Sequence, residues 1–293
     1  MSTESVGARY HGLDAWPSRD ILDVFIEGQM AAIAAVRAAA PQIEAAAEAV
    51  TMRLRAGGRL VYVGAGTSGR LALLDGVELM PTFDWPDDRV VYLIAGGEKA
   101  VTRAVEGAED DREAGRRDIT NAKVAANDAV IAVAASGSTP YTIAALETGR
   151  AAGALGIGIA NNSSAPLLAA AEIPILLDTG AEAIGGSTRM KAGTAQKATL
   201  NLLSSLVMTR LGRVHDGYMV DLRATNIKLR KRSERMLMEM TGAGADAARD
   251  ALQRCAGRVK PAVLVIKGLT PEAAEKALAA SGGSLRLALK TLA

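Results

Sequence analysis

Residues 59–70 read RLVYVGAGTSGR, a short apolar run followed directly by a glycine-rich turn. The run at 59–63 contains the β-branched and aromatic residues that favour a strand. The turn at 64–70 leads into a helical pattern near Ser68, and its glycines allow positive φ angles and close approach of the backbone. A strand, a tight turn and a helix in this order predict one unit of a parallel α/β sheet.

The same alternation of strand and helix continues along the chain. The run at 130–135, VIAVAA, is apolar at consecutive positions, which is typical of a strand that is covered on both faces. Predicted strands cover 59–63, 89–94, 128–134, 155–160 and 173–177, and predicted helices begin near Ser68, Gly97, Thr139 and Ala165. The pattern predicts an α/β fold with a doubly wound parallel sheet.

Helical segments flank this middle part. An alanine-rich helix is predicted over 18–55, and Pro41 divides it into two. Further helices are predicted over 185–210, 223–240, 245–256, 271–280 and 284–292. We therefore expect an N-terminal helical segment at 1–55, a sheet domain at 56–225 and a C-terminal helical region at 226–293.

The composition excludes several classes of function. The 293 residues carry 34 Lys and Arg against 32 Asp and Glu, with two His, one Cys and nine aromatic residues. A net charge of +2 with so few aromatics gives no reason to expect nucleic-acid or membrane binding. One Cys excludes an intrachain disulfide and a cysteine zinc cluster. Residues 1–20 lack the apolar core of a signal peptide, so we expect a cytoplasmic protein.

Two hydroxyl-rich turns each follow a predicted strand and begin a helix. The first contains Gly66, Thr67 and Ser68, and the second contains Ser136, Ser138 and Thr139. At a helix N-terminus, hydroxyls and free N–H groups together suit a phosphate monoester. The alternative is that these residues are helix N-caps, where Ser and Thr are favoured in any protein.

The first turn also matches G-x-G-x-x-G, the fingerprint of dinucleotide-binding proteins. That pattern requires an acidic residue at the end of the next strand. Here the strand ends at Ile94, and the first acidic residue after it is Glu98. An NAD(P)-dependent oxidoreductase is therefore a weak alternative.

Carboxylates and a basic segment complete the candidate site. Because the chain has two histidines, acid–base chemistry is expected from carboxylates such as Glu78. Its neighbours Val77, Leu79 and Met80 predict an apolar setting, and such a setting raises the pKa of a carboxyl group. Glu109 belongs to an acidic stretch at 98–111. The basic segment at 185–197 is either a capped helix with exposed Arg and Lys or a third wall of an anionic pocket, and the predicted wall contains Glu182, Ser187, Arg189 and Lys191.

In combination, these motifs closely resemble those of the bacterial N-acetylmuramic acid 6-phosphate etherases, relatives of the glucokinase regulatory protein within the sugar isomerase (SIS) fold. The resemblance runs from about residue 56 to 231 and, more loosely, through the helical tail. It rests on the segments 64–70, 78–83, 95–98, 105–110, 134–137 and 186–197.

The resemblance implies cleavage of the D-lactyl ether at C3 of the sugar phosphate, which gives N-acetylglucosamine 6-phosphate and D-lactate. It implies that Glu78 is the proton donor and Glu109 the second catalytic residue. It further implies an SIS-type domain at 56–225, a homodimer, and chemistry that needs neither metal nor cofactor. The Leu- and Met-rich helices over 196–240 are expected to offer apolar surface for the dimer.

Three departures from the family pattern leave substrate preference and the role of the N-terminal arm open. The arm reads Thr3-Glu4-Ser5-Val6-Gly7-Ala8-Arg9 where the family usually has Thr-Glu-x-Arg-Asn-Pro. Gly185 replaces a hydroxyl residue, and the neighbours of Glu78 differ from the usual ones. A non-catalytic sugar-phosphate sensor that regulates a partner, as the glucokinase regulatory protein does, is the alternative to an enzyme.

Overall fold

A computed structural model describes residues 3, 5, 7–222 and 227–292 of the chain. It divides into two compact units. The first comprises Met1–Val77 and Asp87–Leu206, and the second comprises Glu78–Pro86 and Val207–Ala293.

The strands are β1 (Leu60–Gly64), β2 (Val90–Ile94), β3 (Ala129–Val133), β4 (Leu155–Ala160), β5 (Ile173–Leu176), β6 (Val214–His215) and β7 (Tyr218–Met219). The helices are α1 (Ser18–Ala38), α2 (Ala40–Arg55), α3 (Gly66–Val77), α4 (Leu79–Phe83), α5 (Lys99–Thr102), α6 (Arg112–Asn121), α7 (Pro140–Ala151), α8 (Pro166–Ala170), α9 (Lys191–Arg210), α10 (Ile227–Thr241), α11 (Ala245–Arg254), α12 (Val259–Ile266), α13 (Pro271–Ala280) and α14 (Leu285–Lys290).

The first unit is built on a parallel sheet with the strand order β2-β1-β3-β4-β5. Every residue of β1, β3 and β4 is buried, because helices cover both faces of the sheet. The predicted doubly wound parallel sheet is confirmed, with strand ends within one residue of those predicted. At the amino end of β3, Asp128 accepts hydrogen bonds from the Arg59 N–H (2.8 Å) and guanidinium (2.6 Å).

Two helix predictions in this unit are corrected. The helix expected near Gly97 is the short α5, and the main helix between β2 and β3 is α6, which the sequence pattern did not indicate. The buried residues of α6 are Gly115 and Ile119, so its apolar signal is weak. The helix expected from residue 185 begins instead at Lys191, after a turn in which Gly186 has a φ of 73°.

The second unit has its own apolar core, to which α10, α11, α12, α13 and α14 contribute. Thr270 caps α13 by accepting a hydrogen bond from the Ala273 N–H at 3.2 Å. The prediction missed α12, which is buried at almost every position and therefore lacks the exposed polar face that marks a surface helix. Of the helix predicted over 223–240, residues 223–226 lie outside the described residues, and α10 begins at Ile227.

Across the residues that the structure describes, we find no helix that is both long enough and apolar enough to cross a bilayer.

Candidate functional site

The strand order creates a crevice at the carboxyl edge of the sheet. From β1 the chain proceeds to β2 on one side, and then returns to β3 on the other side. Loops after β1 and β3 therefore diverge, and open α/β sheets bind ligands at such a switch point. Gly64 at the end of β1 is paired with Val133 at the end of β3, so the two predicted hydroxyl-rich turns leave neighbouring strand ends.

Close backbone packing shapes the first turn. A Cβ on Gly69 would lie 2.9 Å from the carbonyl carbon and oxygen of Gly64, so the start of α3 contacts the end of β1 directly. Gly66, the first residue of α3, has a φ of 52°. Thr67 and Ser68 follow within the helix and do not precede it, so neither is its N-cap. The first N–H groups of α3 have no acceptor in the helix, as at any helix N-terminus.

The second turn precedes α7. Gly137 has a φ of 67°, and the Ser138 N–H donates to Ser136 Oγ at 3.2 Å. Thr139 occupies the N-cap position of α7, but within the described residues its side chain makes no capping hydrogen bond. The N-cap alternative therefore does not account for the hydroxyls of this turn, and Ser138 is exposed.

Two of the residues predicted in the third wall, Glu182 and Lys191, bind the backbone of that wall. Glu182 is fully buried and accepts hydrogen bonds from the N–H groups of Lys191 (3.1 Å) and Ala192 (2.9 Å), which caps α9. The buried Lys191 ammonium donates to the Thr179 carbonyl at 2.9 Å and to the Ala181 carbonyl. Both side chains therefore fix the position of α9 and the loop before it.

Ser187 is half-buried, and Arg189 is exposed, in the turn before α9. Arg189 and Thr67 line the same groove, whose volume is about 600 Å³. Lys197 of α9 adds a second cation to the groove, and Ile33 and Leu202 are among its apolar lining residues. The structure thus brings together a hydroxyl of the first turn and a cation of the third wall.

The Arg70 guanidinium is hydrogen-bonded to backbone carbonyls of α5 and of the residue after it. Its Nε donates to the carbonyls of Ala100 (2.9 Å) and Val101 (3.1 Å), and its Nη2 donates to that of Arg103 (3.1 Å). The guanidinium therefore ties α3 to the C-terminal end of α5, where a cation is favoured.

The two predicted catalytic carboxylates are both exposed. Glu78 follows α3 directly and stands at the N-cap position of α4, and Val77 and Met80 beside it are exposed as well. The apolar setting predicted for Glu78 is therefore wrong: of its flanking apolar residues, Leu79 is buried. Glu109 lies in the 3₁₀ turn Ala108–Asp110, after β2.

Sequence reasoning missed two hydrogen-bonded polar residues, Asn161, which is buried, and Asp75, which is half-buried. Asn161 follows β4, donates to the Leu177 carbonyl at 3.0 Å and accepts from Gln196 at 3.0 Å. Asp75 of α3 accepts from the hydroxyls of Tyr62 (2.9 Å) and Ser204 (3.1 Å). Burial raises the pKa of Asp75, although these hydrogen bonds oppose the shift. The signal in the sequence that could have identified Asn161 is a polar residue directly after an apolar strand.

For the residues described, no group of three or more His, Cys, Asp or Glu side chains is placed to hold a metal ion.

Comparisons with known proteins give relatives over nearly the whole chain. An N-acetylmuramic acid 6-phosphate etherase from Deinococcus radiodurans is 54% identical, over 98% of this chain and 94% of that protein. A second, from Streptomyces coelicolor, is 45% identical over 99% and 93%. The family model of the glucokinase regulatory protein N-terminal SIS domain matches residues 42–150.

One solved structure shows the same fold at low sequence identity. A phosphoheptose isomerase from Francisella tularensis has a TM-score of 0.50 and 19% identity, and the match covers 67% of this chain and all of that one.

Proposed function

The chain belongs to the N-acetylmuramic acid 6-phosphate etherase family, and from this we propose that it cleaves the D-lactyl ether of N-acetylmuramic acid 6-phosphate. The products are N-acetylglucosamine 6-phosphate and D-lactate. The observation that carries the proposal beyond the family name is the pair of hydroxyl-rich turns on the paired ends of β1 and β3. A sensor without catalytic activity is not favoured, because the relatives named as etherases match nearly the full length.

The reaction is an elimination followed by addition of water. In the open-chain sugar, the C2 proton is α to the C1 aldehyde and is acidic enough for removal by a side-chain base. Lactate then leaves from C3, its oxygen takes a proton, and water adds to the C2–C3 double bond. We assign Glu78 as the proton donor and Glu109 as the second catalytic carboxylate. The two steps exchange lactate for water with no net change in oxidation state, so they require no redox cofactor.

The phosphate group is assigned to the crevice between the first two turns. Its oxygens accept hydrogen bonds from the N–H groups at the start of α3, beginning with Gly66, and from nearby hydroxyls. The hydroxyl donors are those of Thr67, Ser68, Ser136, Ser138 and Thr139. Ser187 and Arg189 face the substrate from the third wall, while Glu182 and Lys191 hold that wall in place.

Incubation of the purified protein with N-acetylmuramic acid 6-phosphate tests the proposal. We expect release of one D-lactate per sugar, measured with a D-lactate dehydrogenase, and far slower release from N-acetylmuramic acid without the phosphate. Folded protein that binds N-acetylglucosamine 6-phosphate but releases no lactate would favour the sensor instead.

We also propose that the protein is a homodimer in the cytoplasm. In the segment 196–240, Leu203 and Met208 are buried, whereas Leu202 and Met238 are exposed. The exposed apolar residues of α1 instead form one stripe at helical spacing, which consists of Leu22, Ile26, Met30 and Ile33. A second copy of the chain is the proposed occupant of this stripe. Cys255 is a free, buried thiol, as suits a reducing compartment.

Light scattering tests the dimer. We expect a mass of twice 30.3 kDa for the wild-type protein and a shift to 30.3 kDa when Ile26 and Met30 are both replaced by Glu. Ala31→Glu is the control, because Ala31 is exposed on another side of α1. A dimer that survives the double substitution would exclude the stripe as its interface. Cell fractionation that places the protein outside the cytoplasm would contradict the location.

A further inference from the structure

The side chain of Asn162 joins the N-terminal arm to the second turn. Thr3 is fully buried, although it lies close to the start of the chain. Its N–H donates to Asn162 Oδ1 at 3.2 Å, and its Oγ1 accepts from Asn162 Nδ2 at 3.3 Å. These two hydrogen bonds use both ends of the amide, and they join residues 159 positions apart.

The same amide holds the backbone of the second turn. Asn162 Nδ2 also lies 3.3 Å from the Ala135 carbonyl oxygen and 3.1 Å from that of Ser136. A side-chain amide presents donors at one end and an acceptor at the other. If it rotated by half a turn, Oδ1 would face two carbonyl oxygens. The Thr3 N–H, which donates to Oδ1, and the Thr3 hydroxyl, which accepts from Nδ2, both stabilise the orientation in which the donors face the turn.

The orientation of these carbonyls decides where the turn directs its remaining groups. The Ser136 carbonyl is fixed by Asn162, and the Gly137 carbonyl accepts from the Leu167 N–H at 2.9 Å. Both carbonyls are therefore engaged within the protein, and the hydroxyls of Ser136, Ser138 and Thr139 are the side-chain groups of the turn that the proposed function assigns to the phosphate. A turn that is held before the ligand arrives binds it more tightly, because less ordering is required on binding.

We propose that Thr3 is a positioning residue, which acts through Asn162 to hold the second turn in its phosphate-binding shape. The inference rests on the proposed function for the role of that turn. It assigns to the arm a contribution to affinity for the phosphate and none to proton transfer. The departure of residues 6–8 from the family pattern leaves this contact intact, because it uses Thr3.

Thr3→Val tests the proposal, since it keeps the shape and the backbone N–H but removes the hydroxyl acceptor. We expect KM for N-acetylmuramic acid 6-phosphate to rise about five-fold, the size of one lost hydrogen bond, with kcat within about two-fold of wild type. Thr3→Ser, which keeps the hydroxyl, is the matched control and should retain the wild-type KM. The Kd of N-acetylglucosamine 6-phosphate, measured by calorimetry, should rise in parallel with KM.

A double-mutant cycle tests whether Thr3 acts through Asn162. Asn162→Ala should raise KM and Kd more than Thr3→Val, and adding Thr3→Val to it should raise them no further. Independent, multiplicative effects would overturn the proposal, as would an unchanged KM in Thr3→Val or a fall in kcat alone. If wild-type protein releases no lactate, the proposed function fails. The Kd of N-acetylglucosamine 6-phosphate for Thr3→Val, compared with that for wild type, then still decides this inference.

Discussion

Glu78→Gln is expected to lower kcat for lactate release by about 10²- to 10⁴-fold, the usual contribution of a general acid. The amide has nearly the shape of the carboxyl group but cannot supply a proton to the departing lactate oxygen. Because Glu78 is exposed, the substitution should leave the melting temperature within a degree or two. Steady-state kinetics with circular dichroism on the same sample measures both effects.

The matched control is Glu106→Gln, which changes an exposed glutamate three positions before Glu109. It should retain wild-type kcat, whereas Glu109→Gln should fall in the range expected for Glu78→Gln. Turnover near that of wild type in Glu78→Gln would remove Glu78 from the mechanism. Loss of activity together with loss of the folded state would instead indicate a structural role.

The sheet could be predicted because its central strands are buried on both faces. Burial of every residue in β1 and β3 requires an unbroken apolar run, and such a run is visible in one sequence. Helices were predicted less evenly. The pattern missed α6, which carries few apolar residues, and α12, which is buried at almost every position and has no exposed polar face.

Long-range hydrogen bonds explain what the sequence could not predict about the site. A Gly-Ser-Thr-Arg segment indicates an anion site, but it does not indicate that the Lys191 ammonium is already bound by the carbonyls of Thr179 and Ala181. Likewise, Asn162 belongs to an unremarkable polar loop in the sequence. Its contact with Thr3 depends on how the arm returns to the sheet, which no local pattern encodes.

Gly137→Ala is expected to destabilise the first unit by about 3 kcal/mol and to raise KM at least ten-fold. Part of the loss, about 1 kcal/mol, comes from placing a side chain at a φ of 67°. The rest is crowding, because the new Cβ would lie 2.3 Å from the Ala165 Cβ and 2.9 Å from the Ala160 Cβ. The displaced turn would carry Ser136 and Ser138 away from the phosphate. Urea unfolding and steady-state kinetics measure the two effects.

Gly180→Ala separates the two causes. Gly180 has nearly the same φ, 66°, but apart from its two chain neighbours no heavy atom of the described residues lies within 4 Å of its Cβ position. It should therefore lose about 1 kcal/mol. If crowding causes the remainder, adding Ala165→Gly to Gly137→Ala should restore part of the stability, because it removes the atom in closest contact. The opposite outcome is an equal loss of unfolding free energy in Gly137→Ala and Gly180→Ala, with no recovery in the double variant. It would mean that the turn shifts to accommodate the new side chain, and that packing against Ala165 does not fix its shape.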